Sequence, residues 1–287
     1  MSRQYLRNYK LTIVGQDGTA RVITELRINF EVQKFIFNRA NTAIIRLYNT
    51  SQQTRALLQT KYTKIILEVG YGTNLKVLFT GDIRNVFQKR QNVDAILEVY
   101  AADGEVALLN TTFNKTYEPE ITMDQIVEEI ATSFGKAIGT IVGGPTAADK
   151  VLGFSISGSS KQALNELAQE YDFNWNIEND TLNIVGDSEA IFKNEIVNIN
   201  SGTGMIGSPT LTETGVDVTT LLNPLLAPNR LFQITSNTAE LSLGNLFVGR
   251  PKRTEAEGIY KITEVLFTGD SREGNWTSTA KGITYNG

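Results

Sequence analysis

Val77-Leu78-Phe79-Thr80-Gly81-Asp82 returns unchanged as Val265-Leu266-Phe267-Thr268-Gly269-Asp270, and in each copy an arginine follows after one intervening residue, Arg84 and Arg272. A chance six-residue match within a chain of this size is expected on the order of a few times in a thousand, although strand-biased composition raises that figure. Each copy is a run of β-branched and aromatic residues stopped by Gly-Asp. Glycine supplies turn geometry and aspartate can bond nearby backbone, so each copy reads as a strand running into a turn. Two readings fit: one hairpin used twice, or a duplicated β-domain. The second makes Val77, Phe79, Gly81, Asp82 and Arg84, with Val265, Phe267, Gly269, Asp270 and Arg272, the structural repeat of the chain.

Outward from the first copy the pattern stays β. Residues 9–14 read as a strand, Gln16-Asp17-Gly18 as a turn, and residues 20–32 as one or two further strands with rough alternation at Leu26, Ile28 and Phe30. Ala43-Ile44-Ile45-Arg46-Leu47-Tyr48 continues the pattern, and Asn49-Thr50-Ser51 breaks it before a short helical candidate at residues 52–58. Residues 65–69 form a strand ending on Gly70-Tyr71-Gly72, whose glycines permit a tight or bulged connection. Beyond the repeat, residues 95–101 supply another strand, closed by Asp103-Gly104. Many short strands with turn signals at this spacing favour a barrel or a sandwich.

From Ile121 the period changes. Thr122 with Gln125 three residues on forms a capping box, Ile126, Ile130 and Phe134 place an apolar stripe on one helical face, and Gly135 stops it. Residues 139–150 hold glycines and Pro145, and so form a loop with a short strand at Ile141-Val142. Ser159 with Gln162 is a second capping box, opening a helix whose buried face is Ala163, Leu164, Leu167, Ala168 and Tyr171. Phe173, Trp175 and Ile177 then alternate, Asn179-Asp180 turns, and Leu182 and Ile184 return as the other arm of a hairpin packed on the two helices. Beyond Gly186 the chain is β again, with strands near residues 196–199, 210–214, 231–236, 259–268 and 277–285. Pro224 and Pro228 fence a loop, and the charged segment 250–257 is the weakly ordered candidate besides the termini. The organisation is mainly β with an α+β insertion: a first β region over 1–110, the insertion over 111–185 and a second β region over 186–287.

Composition removes whole classes of function. With no histidine and no cysteine there is no disulfide, thiolate nucleophile, imidazole base or ordinary zinc site. A net charge of -4 without any Lys/Arg-rich run leaves no basic footprint for gripping nucleic acid. The polar start lacks the apolar core of a signal peptide, and no run approaches the ~18 apolar residues of a membrane helix, so a soluble protein is expected.

Three motifs lack the context their chemistry needs. Gly202-Thr203-Gly204-Met205-Ile206-Gly207 has the spelling of a dinucleotide fingerprint, but Ser208-Pro209 and a β-like run follow where a helix must begin, so an inter-strand loop is expected. Glu128-Glu129, or Asp270 with Glu273, are carboxylate pairs of the kind glycoside cleavage uses. Adjacent helical residues point to different faces, however, and solvated surface charge is expected. Trp175, Trp276 and Tyr285 sit at strand spacing, where aromatics serve core or interface. No catalytic, cofactor-binding or metal-binding set emerges.

Several stretches taken in order carry a resemblance. They are Leu47-Tyr48-Asn49 with Thr54-Arg55, Gly70-Tyr71-Gly72, Phe79-Thr80-Gly81-Asp82-Ile83, Ala102-Asp103-Gly104, Gly204-Met205-Ile206-Gly207-Ser208-Pro209, Leu221-Leu222-Asn223-Pro224, and Gly258-Ile259-Tyr260-Lys261-Ile262 leading to Gly269-Asp270-Ser271-Arg272 and Trp276. Together they resemble the baseplate hub proteins of tailed bacteriophages, which cap the tail tube and carry the central spike. The resemblance implies two tail-tube-like β-barrels joined by a small α/β domain, in a homotrimer whose six barrels imitate a hexameric tube ring. It implies as partners the tail-tube protein, the central spike protein, other baseplate proteins and the tape-measure protein, with DNA only in transit and no membrane bound by this chain. It also implies a place in the virion tail baseplate, after assembly in the host cytoplasm. One departure is Asn229-Arg230 after Pro228, where such relatives would carry a glycine.

Rival readings are a virion-associated carboxylate-based glycosidase, a tail-tube or distal-tail component, and the hub portion of a contractile secretion apparatus. Hydrolysis of cell-wall or capsule polymer would favour the first, and a sixfold ring the second.

Overall fold

Buried residues alternate with more accessible ones through the early strands: in β3 (Ile28–Phe35) the side chains of Ile28, Phe30, Val32 and Lys34 all point inward, and the alternation ends at the buried Phe35. A computed structural model describes residues 6–15, 17–36, 39–58, 64–236, 238–241 and 256–285. Around β3 stand β1 (Arg7–Val14), β2 (Ala20–Ile23), β4 (Thr42–Tyr48), the helix α1 (Gln52–Leu58), β5 (Lys64–Tyr71), β6 (Asn74–Gln91) and β7 (Asp94–Ala102). The insertion follows as α2 (Glu105–Asn110), β8 (Thr112–Tyr117), α3 (Met123–Ser133), β9 (Ala137–Val142), β10 (Phe154–Ser159), α4 (Ser160–Glu170), β11 (Phe173–Glu178) and β12 (Thr181–Gly186). The last part holds β13 (Val197–Ile199), β14 (Met205–Leu211), β15 (Gly215–Leu221), β16 (Leu231–Ile234), β17 (Glu240–Leu241), β18 (Gly258–Asp270) and β19 (Trp276–Thr284).

The fold is mainly β, and strands of the first and last parts form one sheet of 14 strands among the described residues. Its order is β17-β14-β15-β19-β18-β3-β4-β7-β6-β5-β1-β2, with β16 attached to β18 and β13 to β16. The two parts meet where Glu264 to Asp270 of β18 pair antiparallel with Phe35 to Asn29 of β3. Beneath this seam lies one apolar core drawing on both parts, in which Phe30 meets Trp276 edge-to-face at 5.3 Å between ring centroids.

A second core belongs to the insertion and collects residues from Leu108 to Ile184. α3 presents Met123, Ile126, Val127, Ile130 and Ala131 to it, and α4 presents Ala163, Leu164 and Leu167. Both helices cover one face of the three-stranded sheet β11-β12-β9, while β8 and β10 pair alone. α3 starts as its sequence predicts, with the Thr122 N–H donating to Gln125 Oε1 at 3.4 Å, and Gly135 follows it at φ 64. At α4 the expected capping box is absent. Ser159 occupies the cap position without a side-chain bond, and Gln162 donates instead to Glu166 one turn on at 3.0 Å.

Other expectations are corrected. Gly81-Asp82 does not end a strand: β6 continues to Gln91, because it leaves β5 near Asp82 and pairs from there with β7. β14 begins at Met205, earlier than the strand expected at 210, and α2, β8 and β10 carry too little periodicity to be read in advance. Of the charged segment 250–257, residues 250–255 lie outside the described residues, as does Gln16 of the first turn.

Candidate functional site

The two copies of the repeat share an inward pattern and differ in their neighbours. Phe79 and Gly81 point inward in β6, as Phe267 and Gly269 do in β18. Each glycine is where an aromatic ring passes: an added Cβ would fall 2.6 Å from the Phe79 ring at Gly81 and 2.2 Å from the Phe30 ring at Gly269. The first residues diverge, with Val77 43% exposed and Val265 fully buried. The cause is a bulge. Glu68 pairs with Val77 and Leu67 with Phe79, so Leu78 is the extra residue and reverses the facing of what precedes it. In β18 the extra residue, Thr263, lies ahead of the whole repeat.

The polar ends of the repeat diverge further. Asp270 closes the β18–β19 turn, accepting from Arg27 Nη2 at 3.0 Å and from the N–H groups of Arg272 and Glu273 at 2.9 and 3.1 Å. Burial opposes ionisation there, but Arg27 and the two N–H donors hold the carboxyl below its ordinary range. Asp82 lies opposite Lys64 in the β5–β6 ladder, in mid-strand. Arg84 pairs with Glu105 at 2.5 Å, whereas Arg272 donates to the Glu25 carbonyl at 3.3 Å. Three strands, β3, β4 and β7, separate β18 from β6, so the copies do not converge on one site.

Of the remaining candidates Glu128 is exposed to solvent, and the others are held in structural contacts. Glu129 accepts from Lys115 Nζ at 2.5 Å and Tyr117 Oη at 2.7 Å, which keep its carboxyl below the ordinary range. Glu273 pairs with Arg27 at 3.0 Å, Trp175 is in the insertion core and Trp276 in the barrel core. After a turn at Ser201–Thr203, the glycines of 202–207 lead into β14, not a helix. Among the described residues no group of three or more Asp or Glu side chains is placed to hold a metal ion.

Sequence reasoning missed a polar layer between the two cores. On β11, Phe173, Trp175 and Ile177 face the helices, so Asn174 and Asn176 face the large sheet, with Asn183 of β12 opposite Asn176. Asn229 Nδ2 reaches Asn174 Oδ1 at 2.8 Å, and the buried Lys34 on β3 reaches Glu178 Oε1 at 2.8 Å. Asn41 Nδ2 donates to the Ile177 carbonyl at 2.9 Å, and Lys64 pairs with Asp180 at 2.8 Å.

Two buried ionisable groups stand where the chain crosses this layer. Asp103, at the way in, accepts from the N–H groups of Asn179 and Asp180 at 2.5 and 3.1 Å. Burial pushes its carboxyl up to about 7, against those donors and Lys34. Lys261, beside the way out, donates to the Gly186 and Asp187 carbonyls at 3.1 Å each, and burial pushes its ammonium down to about 8. No signal in the sequence marks these residues, because their partners are 55 to 144 positions away.

Residues 9–248 match the family model described as baseplate hub gp41. The chain belongs to the baseplate hub gp41 family. No curated protein sequence matches it. Among solved structures, this hub chain is similar to the 43 kDa tail protein of prophage MuSo2 from Shewanella oneidensis, with TM-score 0.64 and 10% identity over 96% of each chain. It is also similar to the tail protein from Neisseria meningitidis MC58, with TM-score 0.63 and 9% identity over 99% of this chain and 98% of that one. A third likeness is to the E. coli c3393 protein, a component of the type VI secretion system, with TM-score 0.63 and 13% identity over 96% of this chain and 77% of that one. At such identities the likeness is one of fold. It gives the hub chain the fold of these proteins over 96–99% of its length.

The hub's departure at Asn229 has a local cause. Its φ is 64, the left-handed region that favours glycine, and asparagine is among the side chains that tolerate it. Buried there, it spends its backbone on Ile191 and Ile262 and its side-chain amide on Asn174.

Proposed function

We propose that three copies of this chain close into a ring in the phage baseplate, threefold toward the central spike and nearly sixfold toward the tail tube. The repeated Phe-x-Gly pattern, inward-facing in both β parts, is the observation that carries this reading, because it is what duplication of a tube-like barrel leaves behind. Residues 1–104 and 187–287 are the two barrel units, exchanging strands along the β3–β18 seam, and the insertion expected over 111–185 begins earlier, at α2, whose Leu108 packs into its core. A duplicated barrel lets three chains offer six similar docking surfaces by a repeated head-to-tail contact. The ring's partners are then the tube protein, the spike protein and neighbouring baseplate proteins.

The ring leaves a passage for the tape-measure protein and DNA. Its lining is not strongly basic, since each neutralised phosphate would add affinity and hold DNA in transit. The chain works as a structural part without catalysis: Glu129, Asp270 and Glu273 are engaged by Lys115, Tyr117 and Arg27. A reconstruction of the assembled tail end tests the reading. Three chains with six alternating barrels per ring are expected; six chains per ring, barrels that do not alternate, or a continuous basic lining would overturn it.

A further inference from the structure

The polar layer divides the molecule mechanically. The apolar cores on its two sides share no residue, and the side chains that bond across between them are Asn, Asp, Glu and Lys. Inter-domain surfaces of this polar kind permit relative motion where apolar ones do not. The layer is also imperfectly satisfied. Asn176 is 1% exposed, yet neither its Oδ1 nor its Nδ2 has a hydrogen-bond partner, and Asn229 Oδ1 has none. These buried polar atoms find no partner within the chain, so water reaching the layer satisfies them at no loss of a protein hydrogen bond.

The connections fit the same division. The chain enters the insertion at Asp103-Gly104, where Gly104 has φ 64, and leaves it at Gly186-Asp187. Each crossing lies beside a buried charge-bearing group, Asp103 or Lys261, and each group bonds to backbone rather than to a covalent or apolar anchor. Lys34 is the ammonium most fully buried in the layer, and the Glu178 carboxylate at 2.8 Å is its ion-pair partner from the insertion.

We propose that the insertion is a body that parts from the barrel sheet along this polar layer, with the Lys34–Glu178 pair and the Asp103 clamp on the β11–β12 turn as its latch. Parting exposes Asn174, Asn176 and Asn183 to water and leaves both apolar cores closed. The motion is a hinge at the two crossings, of the kind in which a few element-terminal residues take up the change.

The two tryptophans are natural reporters, one in each core. Hydrogen exchange of the full chain, followed by mass spectrometry at low urea, reads the layer directly. Peptides holding the Asn179 and Asp180 amides are expected to exchange through an opening that leaves α3 and β18 protected. Glu178→Gln is expected to speed that opening about tenfold or more without changing protection in α3 or β18. Fluorescence of W276F, which reports the insertion, and of W175F, which reports the barrels, is expected to show urea midpoints about 0.5 M or more apart. Exchange of the turn amides only together with α3 or β18 in the unmodified chain, or coincident fluorescence midpoints, would overturn the proposal. So would a folded E178Q protein whose turn exchanges at the original rate. Should that variant not fold, the unmodified chain decides alone.

Discussion

Gly269 lies flat against the ring of Phe30, and a methyl group on its Cα would sit 2.2 Å from the ring's Cζ. Gly269 pairs directly with Phe30 across the β3–β18 ladder, and the inward neighbours Phe267 and Phe30 are buried, so neither partner can move aside. Gly269→Ala is therefore expected to cost about 1–3 kcal/mol through overpacking. Urea unfolding followed by Trp276 fluorescence measures it, and a variant as stable as the parent would refute the contact.

The two aspartates of the repeat are expected to behave unequally. Asp270→Asn weakens an anchor that holds Arg27 and two turn amides, and should cost about 1–3 kcal/mol at neutral pH. Asp82→Asn removes no such set and should stay within about 0.5 kcal/mol. Because the Asp270 carboxyl is held below its ordinary 3.8, its contribution is present above that value and is lost as pH falls through the folded one. Equal losses in the two variants would show that the repeated residues act alike.

Asp103 gives the opposite pH dependence. Its folded carboxyl titrates near 7 and its ordinary value is 3.8, so between these the folded chain holds a proton that the unfolded chain has released. The stability it contributes is full below about 3.8 and is lost as pH rises through about 7. The charged groups facing it are Lys34 and Glu178, with Lys64 on β5 also within electrostatic reach. The stability of the parent relative to Asp103→Asn should fall between pH 4 and 7 and level off above 8; parallel curves in chemical denaturation across that range would contradict this.

At Asn229 two substitutions separate backbone from side chain. Glycine and alanine both lose the bond to Asn174, but only alanine is forced into φ 64 with a Cβ. Asn229→Ala should be less stable than Asn229→Gly by on the order of 1 kcal/mol. Thermal or urea unfolding of the pair decides it, and an alanine variant as stable as the glycine one would remove the backbone explanation.

Features that depend on neighbours in sequence were legible. The period-two strands, the stripe of Ile126 and Ile130, the cap at Thr122 and the Asn179-Asp180 turn all follow from residues within a few positions of one another. The Gly81-Asp82 stop misled, because turn-forming residues also serve where a strand changes partner, and whether it does depends on β7, some distance on. The polar layer was illegible for a sharper reason. Lys34 occupies an inward position of an amphipathic strand, and its ion-pair partner Glu178 on a distant strand makes that position tenable for an ammonium.

The β3–β18 seam has a consequence for how the chain is made. On the ribosome, β3 is synthesised about 230 residues before the strand that covers its edge. At about 5–20 residues per second, that edge stays bare for tens of seconds while β4 already pairs with its other side. A naked edge is a template for foreign strands, and inward charges are one of the devices that blunt it. Lys34, on that edge, makes premature pairing with an apolar strand costly until the proper cover and Glu178 have both been translated. Nascent chains halted between β4 and β18 would thus be the aggregation-prone species of this hub, and crowding of polysomes its hazardous moment.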